Sequence, residues 1–269
     1  MPVRIGSTLR IRVLKGRAMT TSYEMFQTLR QHWDEVGTEV ERALREVLAR
    51  FNPTDRSNRF VVGDATEWII ASALFSLGAV VLPEGPNQDG FDLNDLRDGL
   101  RGRLSVKSSY GGSSAFRISN GMGGAGRGLQ DPTLFLSPRL GGLLFVDPEA
   151  HPELLANVRV TRDATVLGMK PLCSHRDANP DCFISALIPE NPRTGKETPG
   201  RDVVKSIVQT TDGMYPMLEM LYSAAEAKSK GGSYLDSLRE LAAMKESGIL
   251  SADQFDEAVK VLLGEQNGG

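Results

Sequence analysis

Apolar residues recur three and four positions apart from Ser22 to Phe51, which is the spacing of a long amphipathic helix. The members of this stripe are Phe26, Leu29, Trp33, Val36, Val40, Ala43 and Val47. Asn52-Pro53 ends the pattern, because the residue before a proline disfavours helical geometry. The stripe fits either a dimeric coiled coil or a helix that lies across its own core. We favour the core helix, because a coiled coil needs heptads sustained over a longer stretch.

Beyond this helix the pattern changes between helical and strand periods. Asp64 is predicted to cap a helix, and Gly78 is predicted to end it before the strand AVVLP at 79–83. Further strands are predicted near Phe91–Leu93, Leu104–Ser108, Ala115–Ser119, Thr133–Leu136, Leu143–Val146, Ala164–Met169 and Cys182–Ile188. A proline-rich loop at 189–200 precedes predicted helices near Val203–Gln209 and Met217–Ala227. This order predicts an α/β (α+β) fold with a central mixed β-sheet flanked by helices.

The two ends of the chain differ from this main domain, which we place at 21–229. Residues 1–20 form a basic segment without a clear period, and Met19 is an alternative start to Met1. KSKGG at 228–232 is a predicted linker. Residues 234–263 predict a helical hairpin, with Gly248 ending its first helix and Ser251 with Gln254 capping its second.

The Leu238–Leu241 helix, the KESGILS turn and the Phe255 helix of this hairpin resemble the SHOCT domain, a short bacterial C-terminal module. The resemblance implies oligomerisation or contact with a partner. A homo-oligomer formed through this hairpin or through the long N-terminal helix is therefore expected.

Composition is that of a folded globular protein. Of 269 residues, 40% are apolar and 24% are charged, and no apolar run approaches the roughly 20 residues that span a bilayer. Two cysteines, Cys173 and Cys182, are too few for a disulfide framework. These features predict a cytoplasmic protein without a membrane partner.

The charges are unevenly distributed. The net charge is −3, yet Arg97 to Arg127 contains six basic residues and one acid, Asp98. A local basic surface can bind phosphate despite an acidic total, and a merely solvated surface gives the same pattern. The candidate nucleic-acid contacts in this stretch are Arg101, Arg103, Arg117 and Arg127.

A lysine lies inside the predicted strand of this basic stretch. Leu104 and Val106 should point to one face, so Ser105 and Lys107 should point to the other. Asp92 precedes Lys107 by fifteen residues on a neighbouring predicted strand, and Glu67 lies on the preceding helix. Carboxylate oxygens bind Mg²⁺, and a lysine can orient or activate an attacking water.

GDATEWIIASALFSLGAVV with Glu67, GFDL with Asp92 and LSVKSS with Lys107 together resemble the PD-(D/E)XK nuclease superfamily, in its restriction-endonuclease and Mrr-like branches. The resemblance covers about Phe60 to Ser119 and implies a restriction-endonuclease-like fold. It implies a DNA endonuclease that depends on Mg²⁺ (or Mn²⁺) and acts in restriction or phage defence. Asp92 and Glu67 would bind the metal, and Lys107 would stabilise developing charge or position water.

One position departs from the family. Ser105 stands two residues before the lysine, where the family usually has Asp or Glu, so one metal ligand is missing. The alternative is a non-catalytic DNA-binding or assembly protein with the same fold. Asp89 and Asp95 flank Asp92 as alternative ligands, and RNA stays open as a substrate.

Other motifs in the sequence give weaker indications of a functional site. Gly121, Gly123 and Gly126 satisfy GxGxxG, but Asp131-Pro132 leaves no room for the receiving helix, so we interpret them as a loop. Cys173, His175 and Cys182 fit no common zinc spacing. His32 and His151 are interpreted as surface residues.

Deletion of 230–269 is expected to leave the main domain folded and to lower the oligomeric state, because a hairpin this short buries too little surface to belong to the main core. Light scattering on the full chain and the truncated chain measures the mass. An unchanged mass would contradict a role for the hairpin in assembly.

Overall fold

The computed structural model describes residues 21–55, 58–79, 81–83, 92–95, 103–119, 129–161, 164–197, 203–211, 213–229 and 251. The basic N-terminal segment lies outside this part of the chain, as does the predicted C-terminal hairpin apart from Ser251. The helices are α1 (Thr21–Gln31), α2 (Trp33–Arg50), α3 (Asn58–Ser76), α4 (Pro152–Leu155), α5 (Met169–Ala178), α6 (Val203–Thr210) and α7 (Pro216–Ser229). The strands are β1 (Val81–Pro83), β2 (Leu93–Asp95), β3 (Arg103–Ser108), β4 (Ala115–Ser119), β5 (Thr133–Ser137), β6 (Gly142–Val146), β7 (Val158–Val160), β8 (Ala164–Gly168) and β9 (Phe183–Ser185).

The strands form a mixed sheet of six strands and a smaller antiparallel sheet of three. The order in the larger sheet is β1-β2-β3-β5-β6-β9, and in the smaller sheet it is β4-β8-β7. Only the β3–β5 pair is parallel among these described pairings, with Lys107 beside Phe135 in its register. The predicted mixed sheet flanked by helices is therefore confirmed at the level of an α+β architecture.

The core surrounds β5 and β6, in which every residue is buried. Such strands are covered on both faces, which explains their continuous apolar sequences. On one face Phe145 stacks on Phe26 of α1, with ring centroids 5.1 Å apart. On the other face Phe135 contacts Phe116 of β4, with centroids 4.9 Å apart. The six-stranded sheet is thus packed between α1 and the smaller sheet.

The predicted N-terminal helix is two helices, because the backbone leaves helical geometry at His32 with φ −110° and ψ 19°. The apolar stripe still continues across the break, and it is buried in the core of the same chain. This burial confirms the preference for a core helix. α2 ends at Arg50, before Asn52-Pro53 as predicted.

The predicted start of α3 at Asp64 is wrong, because the helix begins at Asn58 and Asp64 lies within it. The predicted end of α3 at Gly78 is confirmed. Gly78 has φ +86°, a backbone geometry that glycine adopts readily. The Ala79 amide donates to the Leu74 carbonyl at 3.0 Å, which closes the last turn. The predicted strand at Ala164–Met169 ends at Gly168, because α5 begins at Met169, and neither α5 nor the short α4 was predicted.

No described helix combines the length and apolar content that a bilayer crossing requires.

Glu39 of α2 joins the two ends of the described fold. Its Oε1 accepts hydrogen bonds from the backbone amides of Met217 at 2.9 Å and Leu218 at 3.2 Å. These amides belong to the first turn of α7, where N–H groups have no partner within the helix. A carboxylate from a distant helix therefore performs the work of an N-cap, and its charge is favourable at a helix N-terminus.

Replacing Glu39 by alanine is expected to reduce the free energy of unfolding by about 1–2 kcal/mol, as for loss of other N-caps. Glu39→Gln keeps an oxygen acceptor and should lose less. Urea denaturation of both variants measures the difference. Equal stability of the alanine variant and the wild type would show that α7 does not depend on this contact.

Candidate functional site

β2 and β3 are adjacent antiparallel strands, and their register determines the neighbours of Asp92. Leu93 pairs with Leu104 and Asn94 with Arg103. Asp92 directly precedes β2, and its amide donates to the Leu104 carbonyl at 3.3 Å. Extending the register by one residue places Asp92 opposite Ser105, on the side of β3 that also carries Lys107.

The Asp92 carboxylate gathers three donors from β3 at one oxygen. Oδ2 accepts from Lys107 Nζ at 2.5 Å, from the Val106 backbone amide at 2.7 Å and from the Ser105 hydroxyl at 3.2 Å. No hydrogen bond among the described residues uses Oδ1. The expected convergence of Asp92 and Lys107 on adjacent strands is confirmed.

This ion pair is partly shielded from solvent, with the Lys107 side chain 25% exposed and the Asp92 side chain 20% exposed. Charge-assisted hydrogen bonds in such surroundings are stronger than those of fully solvated pairs. The residual exposure leaves both groups accessible from outside. The pair can therefore meet an external ligand without unfolding of the strands.

Glu67 of α3 lies close enough to Asp92 and Lys107 for their charges to change its pKa. The pKa of Glu67 is raised from 4.5 to about 8, chiefly by burial and next by the Asp92 charge, with Lys107 acting to lower it and Asp64 to raise it. Two carboxyl groups therefore lie near one lysine, and Glu67 retains its proton near neutral pH. We call Glu67, Asp92, Ser105 and Lys107 the acid–lysine cluster.

Ser105 occupies the position at which the resemblance expects a second carboxylate. Its side chain is buried, its amide donates to the Pro132 carbonyl at 2.9 Å, and its hydroxyl donates to Asp92. A hydroxyl supports the Asp92 carboxylate, whereas a carboxylate at this place would repel both Asp92 and Glu67. A serine at position 105 is therefore compatible with the neighbouring carboxyl groups of Asp92 and Glu67.

The predicted nucleic-acid contacts are only partly described. Arg103 is half-buried on β3 and alternates onto the same face as Ser105 and Lys107. Arg117 is exposed on β4, in the smaller sheet. Arg101, Arg127, Asp89 and the glycine loop lie outside the described residues. Asp95 pairs with Val81 at the far end of β2, so it does not share the position of Asp92.

A second cluster was missed from the sequence. His151, Glu153 and His175 each offer a ligand atom, and these three atoms lie within 4.8 Å of one another. The interpretation of His151 as a surface residue is wrong, since its side chain is only 19% exposed and its ring packs on that of His175. The spacing gave no signal, because His151 and His175 meet only through the packing of α4 on α5. His32 is confirmed as an exposed side chain.

No family model, curated protein sequence or solved structure matches the chain.

Glu67→Gln is expected to stabilise the protein, and increasingly so as the pH rises. The folded-state pKa of about 8 exceeds the ordinary value of 4.5, so the stability associated with the protonated carboxyl is fully present below about pH 4.5 and is lost as the pH approaches 8. Glutamine resembles the protonated form at every pH. The free-energy gap between variant and wild type should therefore widen between about pH 5 and pH 8, by at most about 1.4 kcal/mol per pH unit.

Urea denaturation in EDTA across this range measures the gap. Glu149→Gln, which changes an exposed carboxylate, is the control and should show no such trend. A constant gap for Glu67→Gln would mean that Glu67 is ionised throughout and that Asp92 and Lys107 do not bias it.

Proposed function

We propose that this chain is a Mg²⁺-dependent or Mn²⁺-dependent DNA endonuclease with a restriction-endonuclease-like fold. The observation that carries the proposal is the contact of Asp92 with Lys107 at 2.5 Å beside Glu67. A helix acid, a strand acid and a lysine on the next strand occur here in the order that the PD-(D/E)XK resemblance implies. Each residue alone has an ordinary structural explanation, and their convergence supports a shared chemical role.

The donor atoms of the acid–lysine cluster suit a hard divalent cation. Asp92 has an oxygen without a hydrogen bond among the described residues, Glu67 adds a second carboxyl group, and the Ser105 hydroxyl adds an uncharged oxygen. Oxygen ligands of this kind are those that Mg²⁺ prefers. A bound Mg²⁺ would supply Lewis-acid polarisation of a phosphate oxygen and would lower the pKa of water.

Lys107 is the residue that we place beside the reacting phosphate. Its ammonium group can hold an attacking water and stabilise negative charge on the phosphate oxygens. Hydrolysis forms a bond from the water oxygen to phosphorus and breaks the bond from phosphorus to the leaving oxygen. The water proton passes to solvent, and the leaving oxygen takes a proton from solvent. Asp92 keeps the lysine oriented through their ion pair.

The DNA is expected to lie along the strand ends near this cluster. Arg103 shares the face of Lys107, and the stretch around it is basic, which favours contact with phosphates. Double-strand cleavage requires two such sites, so we expect a homo-oligomer. A role in restriction or phage defence is part of the same proposal.

A second function is favoured by one observation. The Ser105 hydroxyl takes the place of a carboxylate and donates to Asp92. A cluster with one fewer metal ligand would serve a non-catalytic DNA-binding or assembly protein. Such a protein binds DNA equally well with or without EDTA and cuts none, whereas the nuclease cuts only with a divalent metal.

Lys107→Met is expected to reduce plasmid cleavage in Mg²⁺ by about a hundredfold to a thousandfold, which is the usual cost of removing one preorganised donor from a charged transition state. DNA affinity in EDTA should change little, and the salt dependence should fall by at most about one unit, because one phosphate contact is lost. Nicking of supercoiled plasmid and a gel shift measure the two quantities.

Lys196→Ala, which removes one exposed positive charge from the 189–197 loop, is the matched control and should cut like the wild type. Unfolding of Lys107→Met must be checked, since Asp92 loses a partner at a cost of about 1–3 kcal/mol. Equal cleavage by wild type and Lys107→Met would refute the active-site assignment. Absence of cleavage by the wild type with either metal would leave the binding protein as the function.

A further inference from the structure

The second cluster joins two elements that follow β6 and β8. His151 precedes α4 after the turn that leaves β6, and Glu153 lies in the first turn of α4. His175 lies in the last turn of α5. β5 separates β6 from β3 in the sheet, so this cluster and the acid–lysine cluster belong to different strands. We call the three residues the His–Glu–His cluster.

The spacing of its ligand atoms is close to that of a metal site. The three atoms lie within 4.8 Å of one another, and His151 Nδ1 is 3.2 Å from Glu153 Oε1. Ligands held about 2.0–2.1 Å from a tetrahedral zinc ion are roughly 3.3 Å apart. One pair is therefore already at that distance, and the third ligand atom lies within 4.8 Å of both.

His175 gives an independent indication that a ligand belongs here. The residue is 5% exposed, and its Nε2 has no hydrogen-bond partner among the residues that the structure describes. Buried polar atoms without partners are rare, and each one requires an explanation. The pKa of His175 is lowered from 6.5 to about 4, chiefly by burial and next by the His151 charge, with Glu153 acting to raise it, so the ring is neutral at ordinary pH. A neutral imidazole is the form that binds metals.

The other nitrogen of His175 is oriented by Asn179. The Asn179 side-chain amide lies 3.1 Å from Nδ1, in the same helix-ending turn. The same amide nitrogen donates to the His175 carbonyl at 3.0 Å, so in this arrangement Nδ1 accepts from Asn179 and Nε2 carries the proton of the neutral ring. A metal at Nε2 requires that proton to move to Nδ1 and the Asn179 nitrogen to turn away from Nδ1.

Ligand type identifies the class of ion. Two imidazole nitrogens and one carboxylate suit Zn²⁺ and related transition metals, whereas Mg²⁺ and Ca²⁺ prefer oxygen ligands only. Glu153 has a side chain that is 65% exposed, so one side of the cluster faces solvent. A water can complete a fourth position from that side.

We propose that His151, Glu153 and His175 bind a zinc-class transition-metal ion, distinct from the divalent metal of the acid–lysine cluster. Binding would join the turn after β6 to the end of α5. The nearby thiols are not part of the donor set, although Cys173 and Cys182 are both free.

The test uses the full chain, stripped with EDTA and dialysed. Titration with CoCl₂ is followed by visible absorbance, and ZnCl₂ and MgCl₂ are then used as competitors. We expect one equivalent of Co²⁺ to bind, Zn²⁺ to displace it and excess Mg²⁺ to leave it in place. His151→Gln and Glu153→Gln should each weaken binding by at least about tenfold to a hundredfold, since even outer-shell changes have effects of that size.

His32→Gln is the matched control. His32 Nδ1 contacts Glu35 at 2.8 Å, so this pair has the same chemistry as His151 with Glu153 but is exposed and lacks a buried third ligand. Its change should leave Co²⁺ affinity unaltered. His175→Ala should also lose Co²⁺ binding if it folds. If it does not fold, His151→Gln and Glu153→Gln test the proposed site.

Any one of four results would overturn the proposal. The first is failure of the wild type to bind Co²⁺ or Zn²⁺. The second is binding that His151→Gln and Glu153→Gln leave unchanged. The third is displacement of Co²⁺ by Mg²⁺ as readily as by Zn²⁺. Loss of binding in Cys173→Ser or Cys182→Ser with retention in the histidine variants would likewise assign the metal to the thiols.

Discussion

Burial of β5 and β6 on both faces is the constraint on which the remaining structure depends. Neither strand exposes a polar face, so each side of the sheet must be covered. α1 covers the side of Phe145, and the smaller sheet covers the side of Phe135. β3 joins this buried pair through its parallel contact with β5, which fixes the direction and register of the strand that carries Lys107. Packing around β5 and β6 therefore positions the acid–lysine cluster, although the cluster itself lies on neighbouring strands.

The two carboxyl groups of the acid–lysine cluster differ in their surroundings. Asp92 accepts three hydrogen bonds, which favour its ionised form, whereas burial and the charge of Asp92 disfavour ionisation of Glu67. One lysine cannot fully compensate two carboxylates in a partly dry site. An additional positive charge therefore stabilises the cluster, and either a proton or a metal cation can supply it. Ser105 reduces this demand, because it adds a donor instead of a third carboxylate.

The sequence predicted those features that depend on local periodicity. The predicted alternation along β3 placed Ser105 and Lys107 on one face, and both side chains contact Asp92; Gly78 correctly marked a helix end. The pairing of Asp92 with Lys107 followed from the resemblance together with that alternation. Asp64 misled because a good capping residue is also tolerated inside a helix that packing stabilises. The His–Glu–His cluster was missed because its parts meet only in three dimensions, and because α5, with Pro171 in its first turn and few apolar residues, has a weak helical pattern.

The contact of Glu39 with the start of α7 has a consequence for the order of events during synthesis. Its partners are separated by 178 residues of chain. At about 5–20 residues per second, a ribosome needs roughly 10–35 s to make that length. Throughout this interval Glu39 lacks its two amide partners, and α3, on which both α2 and α7 pack, lacks its contact with α7. The helical layer of this protein can therefore be completed only after most of the chain has been made.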